Sequence, residues 1–307
     1  MRARYYHSGL GRFVSADTVV PGVGSQALNR YSYVLGNPLR FIDPTGHKQD
    51  TPPVGCEHSP QCMAWWRESI VKFRGNWSAG HRAAVANGAW AVANRLTGVV
   101  ANQQVMVMQI PVEQRRYVPE SVSLSSLWGL SPHEVFHAVY GEVTFLRAST
   151  GDVSGMWAAS NQDGWVQGSN DLPAWFRAAC PPGNICYDAS VFTRGTTAFN
   201  EVDGHTQLEL NAVHELTHWL DHRGGRKARA HLASTWSTAS LQRGAGGWAG
   251  DFPGWQQSDE PGQGEVLADM GIGWTYGRWA NDRLGALRAS YMKANMPVFI
   301  ALAVAGN

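Results

Sequence analysis

The pattern His-Glu-x-x-His occurs twice in this chain, at His133–His137 in "SPHEVFHAVYG" and at His214–His218 in "NAVHELTHWLDH". The pattern has chemical meaning only on a helix. Residues four apart lie one turn apart on the same side, so the two histidines can share an ion while the Glu is rotated by about 100°. Each copy therefore predicts a helix. A working site also needs a second segment to fold against that helix, because catalytic zinc takes three protein ligands and a water. With 11 histidines in 307 residues the pentapeptide alone is a modest signal, and its surroundings must decide between the copies.

Around the second copy, Val213, Leu216 and Leu220 fall on one side of the expected helix, and Gln207, Asn211, Asp221 and His222 on the histidine side. That predicts a helix with its back in a core and a polar front on a cleft, ended by Gly224-Gly225. His222 continues the four-residue ladder, but it lies about 12 Å along the axis from His214. Zinc–nitrogen bonds of about 2 Å cannot span that from one straight helix. A better third ligand stands in "GQGEVLADMGIGW", where Glu265 and Asp269 are four apart on a helix expected after Pro261. Glu265 can complete a zinc shell, and Asp269 can accept the other ring N–H of a ligand histidine and fix its tautomer. Glu215 then stands beside the open face, where a general base belongs. Tyr276 is about 16 Å from Glu265 along the helix. It and Trp274 are expected to be packing residues, and no oxyanion-stabilising side chain is identified.

The first copy keeps different company. Ser131 and Pro132 suit an N-cap and a first helical position, and Gly141 stops the helix after about two and a half turns. Val135, Phe136 and Val139 give it a buried side, and no Glu-x-x-x-Asp follows. His133 and His137 are expected to be surface or capping residues. His81, His205 and His231 have no partner at ligand spacing.

His-Glu-x-x-His followed by Glu-x-x-x-Asp resembles the gluzincin branch of the zinc metallopeptidases, and "HELTH" matches that family's helix. The resemblance covers the two helices. It implies an α+β, zincin-like domain over 76–307, with helices and a small sheet whose edge strand lies along the cleft; "YDASVFTRG" (187–195) is the candidate strand. It implies Zn2+ as cofactor, held by His214, His218 and Glu265 with Asp269 behind a ligand and Glu215 as catalytic base. The implied substrate is a protein or peptide.

The first fifty residues differ in kind. None of the 14 tryptophans precedes Trp65. "RARYY" and "RFVS", joined by "HSGLG", read as a hairpin, and "RYSYV" and "LRFI" as a second one, ended by the type I turn signal Asp43-Pro44-Thr45-Gly46. Two hairpins bury too little surface to stand alone. "YYHSGLGRFVSADTVVPG" and "ALNRYSYVLGNPLRFIDPTGH" resemble the end of the Rhs/YD-repeat core of bacterial polymorphic toxins, over about residues 2–47. That family builds a β shell followed by a variable C-terminal domain, usually the toxin, and often cuts itself near Asp-Pro-x-Gly-Leu; here His47 stands at the Leu position.

The expected organisation is a β-hairpin Rhs-core fragment (1–47), a polar, Pro-rich connector (48–75) and the zincin-like domain. Within the connector "MAWWRESIVKFRG" reads as a short amphipathic helix, and 77–98 beyond it as an Ala-rich helix ending at Gly98. Cys56/Cys62 and Cys180/Cys186 sit in turn-prone loops at spacings that suit local disulfides. A formal net charge of +1 gives no basic field for nucleic acid. The most apolar run, "MPVFIALAVA", is too short to span a bilayer, and no signal peptide is visible. The expected setting is secretion or delivery to a target cell as part of a larger Rhs-type protein, with a possible immunity protein as partner. The same residues also fit two other readings: a zinc amidase acting on cell-wall peptide, and a non-catalytic Rhs-tail binding fragment.

Overall fold

The computed structural model describes residues 5–10, 12–16, 31, 60–100, 105–113, 116–148, 158–161, 180–181, 183–188, 201–202, 204–235 and 263–306. The chain divides into two compact units, Met1–Ser69 and Ile70–Asn307. In the first, β1 (Tyr6–His7) and β2 (Arg12–Phe13) pair antiparallel across a 3-10 turn at Ser8–Leu10. Phe13 N–H donates to the Tyr31 carbonyl at 3.0 Å. The second expected hairpin and the turn at Asp43–Gly46 lie outside the described residues. Helix α1 (Pro60–Glu68) is shorter than "MAWWRESIVKFRG" suggested: it stops at Glu68, and the Ser69 hydroxyl bonds back to the Trp66 carbonyl at 2.7 Å.

The second unit opens with β3 (Lys72–Arg74), where the sequence reading had extended the helix. Phe73 is why: its ring meets Trp77 edge-on and lies beside Phe145, so it packs inward as a strand residue. Helix α2 (Ala79–Val100) runs through Gly98 instead of ending there. The hairpin β4 (Val105–Glu113) and β5 (Arg116–Ser123) follows, then α3 (Pro132–Tyr140), β6 (Thr144–Ala148), β7 (Ala158–Asn161), β8 (Asn184–Asp188), and the short pair β9 (Glu201–Val202) and β10 (His205–Thr206). Among the described residues, four helices follow: α4 (Gln207–Arg223), α5 (Lys227–Thr235), α6 (Gln263–Tyr276) and α7 (Arg283–Ala305). Among the described residues the unit is mixed and mostly helical, with one four-stranded sheet beside the two-stranded pairs β4–β5 and β9–β10, an α+β arrangement.

The four-stranded sheet has the order β3-β6-β8-β7, the first three strands parallel and β7 antiparallel on the edge. The strand expected over 187–195 is therefore placed differently. Tyr187 and Asp188 end β8, which is paired on both sides, and 189–195 lie outside the described residues. Ile185, Cys186 and Tyr187 are fully buried, as a strand covered on both faces requires. Cys186 is bonded to Cys180, and Cys62 is also in a disulfide.

Helix α4 lies at the centre. Every residue from Leu208 to Asp221 is buried, so the expected polar front is not an open surface. Neighbouring helices reach α4 closely because they present glycine. A Cβ at Gly88 of α2 would sit 2.7 Å from the Glu209 carbonyl oxygen, and one at Gly271 of α6 would collide with the Thr217 side chain. The run Met296–Ala303 fills the core as the buried half of α7. Among the described residues no helix is long and apolar enough to cross a membrane.

Candidate metal centre

Helix α4 starts where Thr206 accepts a hydrogen bond from the Glu209 N–H at 3.2 Å, an N-cap. It ends where Gly225 and Arg226 turn the chain with positive φ. Asp221, buried at the C-terminal end, is bound by the Arg229 backbone N–H at 3.0 Å and by its guanidinium. The rod between these ends holds His214 and His218 one turn apart.

Helix α6 packs along α4 and brings Glu265 and Asp269 to those histidines. His214 Nδ1 lies 2.9 Å from Asp269 Oδ1. A carboxylate only accepts, so Nδ1 carries the proton and Nε2 faces the other way. There it meets His218 Nε2 at 3.1 Å and Glu265 Oε2 at 3.1 Å. His218 Nε2 is 3.3 Å from Glu265 Oε1. The two rings stand nearly perpendicular, at 85°.

Two ring nitrogens and a carboxylate at such separations are held together by a shared proton or by a cation. Bonds of about 2.05 Å in a tetrahedral shell set ligand atoms about 3.3 Å apart, so the spacing suits zinc. His214, His218 and Glu265 thus form a group that could hold a metal ion, with ligand atoms all within 4.8 Å of one another. Without the ion, protons take its place. Burial alone would push the His214 pKa down, but hydrogen bonds and charge from Asp269 and Glu265 outweigh it and hold that pKa well above its ordinary value. Burial would raise Glu265, yet the charge of His218 and the bonds from both imidazoles hold it well below the usual carboxylate range. The Glu265 side chain is 37% exposed, so the group opens to solvent on that side.

Glu215 is buried, at 5% exposure, about 100° around α4 from His214. Burial and then the Glu215 charge push the Tyr187 phenol well above its ordinary pKa. His222 stays in the last turn of an unbroken helix, away from the group.

The first pentapeptide is committed to structure. Ser131 and Glu134 form a capping box, the Glu134 carboxylate accepting from the Ser131 N–H at 2.7 Å. His137 Nδ1 lies 3.1 Å from the Gly141 carbonyl. His133 corrects the sequence reading: it is a buried residue, its ring tilted against Trp90 with centroids 5.3 Å apart, because α2 covers that face of α3. Among the described residues only the α4–α6 group gathers metal-binding side chains.

Sequence reasoning missed a second cluster. Tyr276 donates to Glu209 Oε1 at 2.8 Å, and His205 Nδ1 lies 2.8 Å from the same oxygen. Tyr276 is thus more than packing, and His205 has a partner after all. Burial and then the Glu209 charge push the Tyr276 pKa far up. The available signal was the two-turn spacing from Asp269 to Tyr276, which puts both on one face of α6. Trp274 is buried, with the Arg95 guanidinium 5.4 Å from its ring centre.

No protein-family model matches this chain, and neither a curated protein nor a solved structure matches it.

Proposed function

We propose that the C-terminal unit is a zinc-dependent peptidase, a gluzincin-like domain, carried behind an Rhs-type tail as its toxin. The observation that carries this reading is the meeting of His214, His218 and Glu265, from segments 51 residues apart, with Asp269 behind His214. The donor set, two imidazoles and one carboxylate, is that of a catalytic zinc site with one position left for water. Zinc bound there would polarise a substrate carbonyl and acidify a water.

The remaining chemistry belongs to the chain. Asp269 holds the His214 ring in one tautomer, so its Nε2 lone pair faces the ligand position. Glu215, next to His214 in sequence but rotated about 100° around the helix, takes a proton from the attacking water and passes it to the leaving amine. The supporting context is the wording of residues 2–47, which fits a delivered protein with a target-cell substrate and a protective partner in the producer.

The test is zinc analysis of the purified protein followed by digestion of a broad peptide library. Glu215→Gln should keep its zinc and lose cleavage by at least about 100-fold, the scale of general-base catalysis. Cleavage that survives the substitution removes Glu215 from the mechanism. Purified peptidoglycan, incubated in parallel, would expose an amidase instead. A zinc-loaded protein inert toward both would be a binding fragment.

A further inference from the structure

The buried polar residues of α4 are nearly all spoken for. Glu209 is bound by Tyr276 and His205, His214 by Asp269, Thr217 by the Val213 carbonyl, and Asp221 by Arg229. Asn211 differs. It is 3% exposed, and its Oδ1 is fully buried with no hydrogen-bond partner. Such an acceptor is costly to leave unmet, and native proteins seldom do so without a functional reason.

The position of Asn211 supplies the reason. At 100° per residue it lies about 60° around α4 from His214, between His218 at about 40° and Glu215 at about 100°. It is therefore on the metal-facing side, one turn toward the N-terminus from both His214 and Glu215. A substrate with its carbonyl at the metal and its leaving nitrogen near Glu215 must lay a neighbouring group along this same strip of helix.

We propose that Asn211 is a specificity-determining residue of this site. Its Oδ1 accepts a hydrogen bond from an N–H or O–H on the substrate side chain adjoining the scissile bond, selecting donor-bearing side chains over apolar ones of equal size. This rests on the peptidase reading and narrows its substrate class. An apolar side chain placed there leaves the buried acceptor unmet, and sites built around a hydrogen bond reject such analogues far more strongly than an apolar pocket rejects a missing methylene.

The experiment uses the full zinc-loaded chain and peptides in which the residue on each side of the cleaved bond is exchanged between Asn and Leu and between Thr and Val. Wild type should favour Asn and Thr by orders of magnitude in kcat/KM, up to about 10⁴-fold. Asn211→Leu should retain zinc, reduce that ratio to below about 10, and raise Tm by about 2–4 °C, because an unmet acceptor is replaced by an apolar group. Asn211→Ala, which cannot clash, should lose the preference as well. Equal cleavage of the paired peptides by wild type would overturn the proposal and leave the peptidase reading intact. So would a preference that persists in both variants, or a lower Tm for Asn211→Leu with the preference unchanged, which marks a structural residue. A library left uncut removes the peptidase reading, and this inference with it.

Discussion

Both nitrogens of the His214 ring are committed, one to Asp269 and one to the ligand group. Removing the Asp269 carboxylate should therefore act through the metal. Asp269→Ala is expected to weaken zinc binding by about 10–100-fold, read by competition with a chromogenic chelator. Glu265→Ala and His214→Ala should leave the purified protein without stoichiometric zinc, whereas His133→Ala should leave zinc content unchanged, since His133 packs beside Trp90. The same groups predict opposite pH responses with and without metal. In the metal-free protein the raised His214 pKa contributes stability that is complete below the ordinary imidazole value of 6.5 and fades as pH climbs through the raised one. The lowered Glu265 pKa contributes stability that is complete above 4.5 and is lost as pH falls through its depressed value. Chelator-treated protein should thus melt highest between these two and lose Tm on the alkaline side. Zinc must compete with the protons, so zinc-loaded protein should lose its added stability toward acid. Melting curves over a pH series, with and without chelator, test both.

At the scale of elements, the site exists because α4 and α6 come close enough for short side chains to meet. Thr217, whose hydroxyl donates to the Val213 carbonyl at 2.9 Å, cannot swing away from a methyl placed on Gly271. Gly271→Ala should cost about 1–3 kcal/mol by overpacking, against the gain of about 1 kcal/mol expected for this change in an exposed helix. It should also loosen zinc binding, because it pushes Asp269 and Glu265 away from their partners. At the far end of the same helix pair, Tyr276→Phe removes a hydrogen bond to a nearly buried carboxylate and should cost about 1.5–3 kcal/mol, seen as a lower denaturant midpoint. The sequence marked both helices well. The apolar row of α4, the Glu265/Asp269 spacing on α6, the cap before α3 and the Gly-Gly stop after α4 are local signals. Gly271 and Gly88 carry no such signal, since a helical glycine is explained only by the neighbour it admits. The burial of α4 on every side was equally hidden. Its polar residues read as a surface, and only their partners on α6, α5 and β10 allow them inside.

For the whole molecule, the ligand residues and the main hydrophobic core all lie within Ile70–Asn307. A fragment of residues 70–307 should therefore bind one zinc ion with the affinity of the full chain, as titration of both would show. Two pentapeptides entered the same core and met different fates. Residues 214–218, followed by Glu265 and Asp269, could be read as a ligand set because helix periodicity alone decides which side chains share a face. That Glu134 would be spent on its own helix's cap was also within reach, since a capping box is local. Three things were decided only by the tertiary structure: that His133 would be buried under α2, that β8 would be an interior strand with β7 at the edge, and that Tyr276 would reach Glu209 from α6. Each depends on which element arrives from elsewhere in the chain to cover a face, and periodicity along one segment carries no information about its neighbour.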